Sequence, residues 1–319
     1  VQVGALMGMV RLPPDAVTSV MRLMLEGCAL RGGHWNYRPS TLVRSNAIIA
    51  LAEIGTAQNA HALATLLDQD HKAPVGLRQA AAMAVAILGE RFPATRPQLG
   101  RSILAALDET REPGTRHTLV MSLGRLLAAD ACGGSTALLE EEKAGRYLLK
   151  ALQDANLEVR PFAALGLALV VRTPCSATDE PFAWHQYRAK AIPGLRQAFE
   201  AAGDAQNRGA TAVALGLAQD GHSVPRLLAV LQDDDKSPEL RAYAALGLGL
   251  LGDGRREVVA AVTDAVRDRR DRVLQMRAAT ALGLLDGGIR EDRDAAIRTL
   301  LFELRRSRDQ VVKGQIAIT

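Results

Sequence analysis

The sequence predicts an all-α protein, a right-handed α-α superhelix of about eight two-helix repeats that is truncated at both ends. Three observations predict this solenoid. One short motif recurs along the chain, and the intervals between its copies suit a pair of helices. Aromatic residues make up only 3% of the chain and β-branched residues rarely cluster, which favours helices over sheets. We therefore expect a single helical array over residues 1–319.

The repeated motif is a basic residue, two variable positions, a small residue and an apolar run that usually contains Ala-Leu-Gly. Its copies are RSNAIIALAEIG from Arg44, RQAAAMAVAILG from Arg78, RHTLVMSLGRLL from Arg116, RPFAALGLALVV from Arg160, RGATAVALGLAQ from Arg208, RAYAALGLGLLG from Arg241 and RAATALGLLDGG from Arg277. With Lys313 as the start of a partial copy, the intervals are 34, 38, 44, 48, 33, 36 and 36 residues. These intervals fit two helices and two turns per repeat.

Each repeat is predicted to contain two different helices. The first is apolar almost all round, as expected for a helix between neighbours, and it carries a recurrent glycine at Gly124, Gly166, Gly216, Gly247 and Gly283. Glycine inside a helix costs up to about 1 kcal/mol relative to alanine, so its recurrence predicts close backbone contact between repeats. The second helix has apolar residues three and four apart, as at Ile297, Leu300, Leu301 and Leu304, and we expect these helices to line a concave face.

The recurrent arginine is most simply structural, forming a bridge to an acid or a carbonyl of the adjacent repeat. Local signals support the helix boundaries around Arg241. Ser237-Pro238-Glu239 supplies a cap, a first-turn proline and an early acid, and Gly252-Asp253-Gly254 ends the same helix.

Two segments carry a family resemblance. LQDANLEVRPFAALGLALV from Leu152 and LQDDDKSPELRAYAALGLGLLGD from Leu231 resemble the HEAT-like repeats of the bacterial phycobilisome-lyase type, in which an aspartate precedes a Val-Arg or Leu-Arg pair and Ala-Leu-Gly follows. The resemblance covers essentially the whole chain and implies a HEAT-like solenoid. The resemblance does not specify a function, because such repeats occur in chromophore lyases, kinase and phosphatase scaffolds and DNA-repair proteins. A bilin-lyase-like or chaperone role is one alternative that it implies.

Three irregular insertions, at residues 28–40, 130–146 and 172–190, interrupt the repeat pattern. Four of the six Trp and Tyr residues of the chain fall in the first and third insertions, where arginines accompany them. Because Trp, Tyr and Arg dominate binding hot spots, we predict partner-binding roles for Trp35, Tyr37, Arg38, Trp184, His185, Tyr187 and Arg188. The alternative is that these loops fold back and use their aromatic side chains to cover helix ends.

The excess positive charge lies at one end of the chain. The formal net charge is +4, and residues 255–319 carry 14 Lys and Arg against 10 Asp and Glu. Equivalent turns of successive repeats hold a candidate phosphate-binding ridge of Arg267, Arg269, Arg270, Arg272, Arg305, Arg306 and Arg308. Interleaved aspartates favour the alternative of solvated ion pairs, worth about 0–1 kcal/mol each.

The sequence offers no catalytic constellation, and we expect no metal and no cofactor. Cys28 with His34 and Cys175 with His185 are expected to lie about three repeats apart, too far for one zinc ion. HEAT-like di-iron hydroxylases that modify a lysine use repeated His-Glu pairs, and no His-Glu dipeptide occurs here. No glycine-rich phosphate loop or GxSxG elbow appears.

Cysteine usage and hydropathy bear on location. Three cysteines imply no disulfide framework, and no apolar run approaches the roughly 20 residues of a membrane helix, so a cytoplasmic protein without a membrane span is expected. The sequence as a whole predicts a non-catalytic scaffold or adaptor that binds a protein partner or a multi-subunit assembly, with nucleic-acid binding as the alternative.

Overall fold

The computed structural model describes residues 40–54, 56–68, 73–132, 142–154, 156–172, 182–285, 290–307 and 309–318. Every regular element within these ranges is helical, which confirms the all-α prediction. Residues 28–39, 133–141 and 173–181, which make up most of the three predicted insertions, lie outside the described ranges.

The chain divides into two compact units. The first comprises Val1–Leu148 with Thr173–His185, and the second comprises Leu149–Arg172 with Gln186–Thr319. The helices up to the boundary are α1 (Thr41–Ile54), α2 (Ala57–Asp68), α3 (Val75–Arg91), α4 (Arg96–Glu109), α5 (Pro113–Cys132) and α6 (Glu142–Ala151). They are followed by α7 (Arg160–Arg172), α8 (Phe182–Ala201), α9 (Ala205–Leu217), α10 (Val224–Gln232), α11 (Pro238–Leu251), α12 (Arg256–Arg267), α13 (Arg272–Leu284), α14 (Arg290–Arg306) and α15 (Gln310–Ile318).

Alternate helices pack on one another in both units. In the first unit α3 lies between α1 and α5, and α2 packs on α4 in a second layer. In the second unit α7, α9, α11, α13 and α15 form one layer, while α10, α12 and α14 form the other. Each second-layer helix of this unit also packs on the first-layer helix that follows it in the chain. This order of contacts is that of an α-solenoid, as the repeat intervals predicted.

Small residues allow α9 and α11 to approach so closely that their backbones are in contact. A Cβ atom added at Gly216 would lie 2.3 Å from the carbonyl oxygen of Gly247, and one added at Gly247 would lie 2.5 Å from the carbonyl oxygen of Ala212. The predicted backbone contact between repeats is therefore confirmed at these two glycines. Gly283, which the sequence grouped with them, is exposed instead.

Cap residues set the register of the first-layer helices in the second unit. A side-chain oxygen at the cap accepts a hydrogen bond from the backbone N–H three residues later, which satisfies one donor that the first turn leaves open. The three pairs are Asp204 with the Asn207 N–H at 2.7 Å, Ser237 with the Leu240 N–H at 3.3 Å, and Asp271 with the Leu274 N–H at 2.8 Å.

The caps correct one repeat of the sequence analysis. Arg241 stands four residues after its cap, and the residue four positions after Asp271 is Gln275. The choice of Arg277 as the first residue of a copy is therefore wrong by two positions. Arg277 lies on the outer part of α13, where its guanidinium carbon is 4.7 Å from the centre of the Tyr243 ring.

At two such positions in the second unit, the side chain joins its helix to the helix before it. Arg241 Nε donates to the Leu231 carbonyl at 2.9 Å, and Gln275 Nε2 donates to the Val266 carbonyl at 3.0 Å. Both acceptors lie in the last turn of the preceding helix, whose carbonyls lack intrahelical partners. The structural interpretation of the recurrent arginine is confirmed for Arg241, and the amide of Gln275 replaces the guanidinium in the next repeat.

Candidate interaction surfaces

The predicted aromatic contact residues occupy different environments. Trp35, Tyr37 and Arg38 lie outside the described residues. Trp184 and Tyr187 belong to the first turns of α8 and are only 2% and 6% exposed. Their burial matches the packing alternative, so neither ring is available to a partner on this surface. Burial also raises the pKa of the Tyr187 hydroxyl and keeps it neutral.

The spacing of apolar residues along α8 indicates a buried helix face, a signal that residue type alone does not give. Trp184 and Tyr187 begin a buried stripe that continues through Ala191, Leu195 and Phe199, at helical intervals of three and four residues. On the other side of the first turn, His185 is exposed and Arg188 is half-buried. The prediction that these two residues contact a partner remains a prediction.

The candidate phosphate ridge carries its own counter-charges. Arg269 forms a forked pair with Glu303, with Nε 2.9 Å from Oε2 and Nη2 2.7 Å from Oε1. The Glu303 side chain is only 3% exposed, and Gln275 Nε2 lies 3.4 Å from the same carboxylate. The hydrogen bond to Glu303 raises the pKa of Arg269, which favours the charged form of the guanidinium.

Three further ridge arginines also form ion pairs with carboxylates. Arg270 lies 2.8 Å from Asp268, Arg267 lies 3.2 Å from Asp264, and Arg272 lies 3.2 Å from Asp309. The hydrogen bond from Arg270, with other contacts, holds the pKa of Asp268 below its usual range. The ion-pair alternative therefore describes these arginines, whereas Arg308 lies outside the described residues.

A different surface on α14 combines exposed apolar side chains with unpaired arginines. Ile297, Leu301 and Phe302 are 48%, 48% and 53% exposed. No ion pair joins Arg298, Arg305 or Arg306 to a carboxylate of the described chain, and the guanidinium carbon of Arg306 lies 5.6 Å from the centre of the Phe302 ring. We call this set the α14 face: Ile297, Arg298, Leu301, Phe302, Arg305 and Arg306.

The observed burial of the apolar residues of α14 differs in part from the burial that the sequence predicts. The sequence placed Ile297, Leu300, Leu301 and Leu304 on one apolar stripe of a second helix. In the structure Leu300 and Leu304 are half-buried, while Ile297 and Leu301 are exposed. The stripe is wider than the neighbouring helices cover, and its outer edge forms the face.

Two grooves in the second unit are large enough for side chains of a partner. One, of about 760 Å³, runs beside the α14 face and is lined by Arg267, Arg269, Ala295, Arg298, Thr299, Phe302, Glu303 and Arg306. The other, of about 690 Å³, lies between the start of α7 and helices α8 and α9, and its lining includes Leu152, Arg160, Lys190, Pro193 and Asn207.

The described residues contain neither a cluster of metal-binding side chains nor a helix that could span a membrane. No group of three or more His, Cys, Asp or Glu side chains in these ranges is arranged to hold a metal ion. Within the same ranges, no helix has both the length and the apolar character needed to cross a bilayer.

Three features define a helical-repeat protein of the α-solenoid class. They are the order in which the helices contact one another, the close approach of helices at Gly216 and Gly247, and the regularly placed helix caps. The family model described as HEAT repeats matches residues 192–283 and 224–319, all of which lie in the second unit. No curated protein matches the sequence. Neither of these comparisons supports membership of the phycobilisome-lyase-type subfamily.

Two solved structures are similar to this chain. Human deoxyhypusine hydroxylase in complex with glycerol is 18% identical over 86% of this chain and 96% of its own, with a TM-score of 0.35. Kap121p bound to Nup53p is 15% identical over 96% of this chain and 36% of its own, with a TM-score of 0.42. At these scores neither likeness carries an argument about structure or function.

Proposed function

We propose that this protein is a non-catalytic scaffold or adaptor, in which stacked helix pairs hold surface side chains in fixed positions for a protein partner or a multi-subunit assembly. The observation that carries the proposal is the α14 face. Large apolar side chains that are about half exposed and bordered by arginines are typical of protein contact surfaces. Burial of such a surface by a protein partner is favourable, because it removes apolar area from water.

Rigidity supports the same proposal. Helix α14 packs on α12 and α15, and elsewhere in the second unit Gly249 of α11 approaches Ala281 of α13 at backbone distance. The Glu303 carboxylate, which is buried on α14, accepts hydrogen bonds from Arg269 in the turn between α12 and α13. The backbone of this helix therefore loses little additional freedom when a partner binds, which lowers that part of the entropic cost of association.

Nucleic-acid binding is less well supported. Four of the seven predicted ridge arginines share their charge with carboxylates of the same chain, which weakens the potential that a phosphate backbone would meet. Binding led by phosphate contacts would weaken steeply with added salt, whereas binding to the α14 face would retain its apolar contribution.

Purification of the tagged protein from its native cells, with and without nuclease, tests the proposal. We expect the same protein components in both samples, at a constant ratio to the tagged chain, and a binary complex when one of them is purified and mixed with it. Components that disappear with nuclease, or none that reconstitutes, would contradict the scaffold proposal.

A further inference from the structure

We propose that a groove along α8 binds an extended acidic segment of a partner protein. This groove, of about 690 Å³, lies wholly within the second unit, and its lining includes Arg160, Lys190, Gln197, Ala198 and Ala201. We call it the α8 groove. The inference names a partner chemistry for the proposed scaffold, but it concerns a surface other than the α14 face, so the two proposals can fail separately.

A second groove occupies the equivalent place two repeats later. This α12 groove, of about 400 Å³, has Arg241 in its lining. The helix caps set the register between the two grooves, since Asp204 before α9 corresponds to Asp271 before α13. Four lining residues of the α8 groove then correspond to four of the α12 groove: Gly194, Gln197, Ala198 and Ala201 to Ala261, Asp264, Ala265 and Asp268.

The opposite wall follows the same equivalence. Leu152 and Arg160 line the α8 groove, and Leu231 and Arg241 line the α12 groove. Both pairs belong to the Leu-Gln-Asp and arginine positions of the repeat motif. The two grooves are therefore one structural feature in two repeats, and differences between them reflect the side chains that line them.

The two grooves differ in charge. In the α12 groove, Arg241 lies 2.7 Å from Asp234 and 3.8 Å from Asp268, so its charge is compensated within the chain. None of the described residues that line the α8 groove is acidic. In the cap register, three acids near the α12 groove are replaced in α8: Glu257 by Lys190, Asp264 by Gln197 and Asp268 by Ala201. The α8 groove therefore carries positive charge that its counterpart neutralises.

Arg160 is held in place with part of its guanidinium unused. Its Nε donates to the Asp154 carbonyl oxygen at 2.7 Å, and within the described ranges its terminal nitrogens make no hydrogen bond and no ion pair. Lys190 is exposed and likewise has no carboxylate partner among the described residues. A guanidinium whose position is already fixed can bind a carboxylate with little further loss of side-chain freedom.

The dimensions of the α8 groove suit an extended peptide. Its lining follows α8 from Lys190 to Ala201, eleven residues that span about 16 Å at 1.5 Å per residue. About five residues of extended chain cover the same distance. Arg241 pairs with Asp268, so by the cap register we expect Arg160 at the Ala201 end, opposite Lys190.

Apolar side chains occupy the space between the two cations. They include Leu149, Leu152, Pro193 and Ala198. A segment with acidic residues about five positions apart and apolar residues between them would match both the charge and the lining. Such complementarity improves the encounter rate and fixes the orientation of the bound segment.

Other occupants fit less well. An inorganic anion or a small organic acid would reach one cation and leave the apolar lining in water. A nucleic acid gains affinity from many phosphate contacts, whereas Arg160 and Lys190 are the only cations among the described lining residues. A second copy of the chain that used the same groove would bring like charges together, since a two-fold contact pairs each patch with itself.

Selection from an unbiased peptide library tests the inference without a known partner. Random twelve-residue peptides displayed on phage are selected against the whole chain, with no bias in charge. We expect enriched sequences to place Asp or Glu on both sides of an apolar centre, about five positions apart. Their affinity is measured with synthetic peptides by fluorescence anisotropy at two salt concentrations.

The main variant restores the charge compensation of the α12 groove. Ala201→Asp supplies a carboxylate at the position of Asp268, and we expect it to weaken peptide binding at least about tenfold, a loss of about 1.4 kcal/mol. Ala201 is exposed, and Asp is the native residue at the equivalent position, so folding is expected to be preserved. Ala260→Asp is the matched control, since Ala260 is also exposed in a second-layer helix but lies outside the described lining of both grooves.

A second pair of variants tests the other end of the groove. Lys190→Glu is expected to weaken binding several-fold and Lys190→Arg much less. Arg298→Glu makes an equal change of charge at an exposed site outside the groove and is expected to have no effect. Circular dichroism of each variant verifies folding.

Several outcomes would overturn the inference. Enriched peptides that are neutral or basic, peptides that bind Ala201→Asp as well as the original chain, or no enrichment would each exclude an acidic segment in this groove. Duplex DNA that displaces the selected peptides and depends on Lys190 would assign the groove to a nucleic acid. If native protein partners are retained in full by folded Ala201→Asp and Lys190→Glu proteins, the inference fails while the scaffold proposal stands.

Discussion

Replacing Gly216 with alanine tests whether the repeats are in contact at backbone level. The new Cβ would lie 2.3 Å from the Gly247 carbonyl oxygen and 2.8 Å from its Cα, whereas ordinary contact begins at about 3.4 Å. Both neighbours are backbone atoms of a helix, so α9 and α11 must separate by about 1 Å. Overpacking of this kind costs about 1–3 kcal/mol, and the helix propensity of alanine returns up to about 1 kcal/mol.

We therefore expect Gly216→Ala to lower the free energy of unfolding by about 1–2 kcal/mol, with a fall in melting temperature of about 2–4 °C per kcal/mol. Gly194→Ala is the matched control. Gly194 lies inside α8, and its new Cβ would meet only Leu152 Cδ1 at 3.6 Å, an ordinary contact, so this variant is expected to be as stable as the original or up to about 1 kcal/mol more stable.

The assay is urea unfolding followed by circular dichroism at 222 nm, on the whole chain, with thermal melting as a second measurement. Because stability in a repeat array is a sum of local and nearest-neighbour terms, an early partial transition in Gly216→Ala would localise the damage to the second unit. Equal stability of Gly216→Ala and Gly194→Ala would refute the close approach of α9 and α11.

Two further predictions concern the polar contacts of the second unit. Burial raises the pKa of Asp220, but hydrogen bonds from Arg196 and Ser223 outweigh this effect and hold that pKa below its usual range. The contribution of Asp220 to stability is therefore present above the unfolded pKa near 3.8 and is lost as the pH falls through the folded pKa. Asp220→Asn should therefore flatten the decline in the urea midpoint below about pH 4. Arg241→Ala should cost about 1–3 kcal/mol in the same assay, because it removes the contact with the Leu231 carbonyl, while Arg241→Gln should cost less since Gln275 makes the equivalent contact. A wild-type acid profile for Asp220→Asn, or equal losses for the two Arg241 variants, would contradict these assignments.

The repeat architecture was predictable because it depends on patterns that are local in sequence. Apolar spacing and glycine recurrence identified the helices, and the contact at Gly216 and Gly247 followed from the cost of glycine in a helix. The register at Arg277 was wrong because an Arg-Ala-Ala run there resembles the motif more closely than Gln275 does. The cap at Asp271 fixes the helix start, and this signal outweighs the identity of the basic residue.

The candidate site was less predictable. Trp184 and Tyr187 were assigned to a surface from their residue types, although their spacing with Ala191 continues into a buried stripe of α8. The exposure of Ile297 and Leu301 depends on which neighbouring helices are present and how wide a stripe they cover. That property belongs to tertiary packing and has no local sequence signal.

The central functional claim is that a protein partner binds the α14 face of a rigid helical stack. Quantitative co-purification from native cells, with the original chain, Leu301→Glu and Leu157→Glu in parallel, measures this most directly. Leu157 is 49% exposed, as Leu301 is 48%, and lies outside the α14 face. We expect Leu301→Glu to lose one or more protein components that the original chain and Leu157→Glu retain at equal levels. Retention of the full set by a folded Leu301→Glu protein would contradict it.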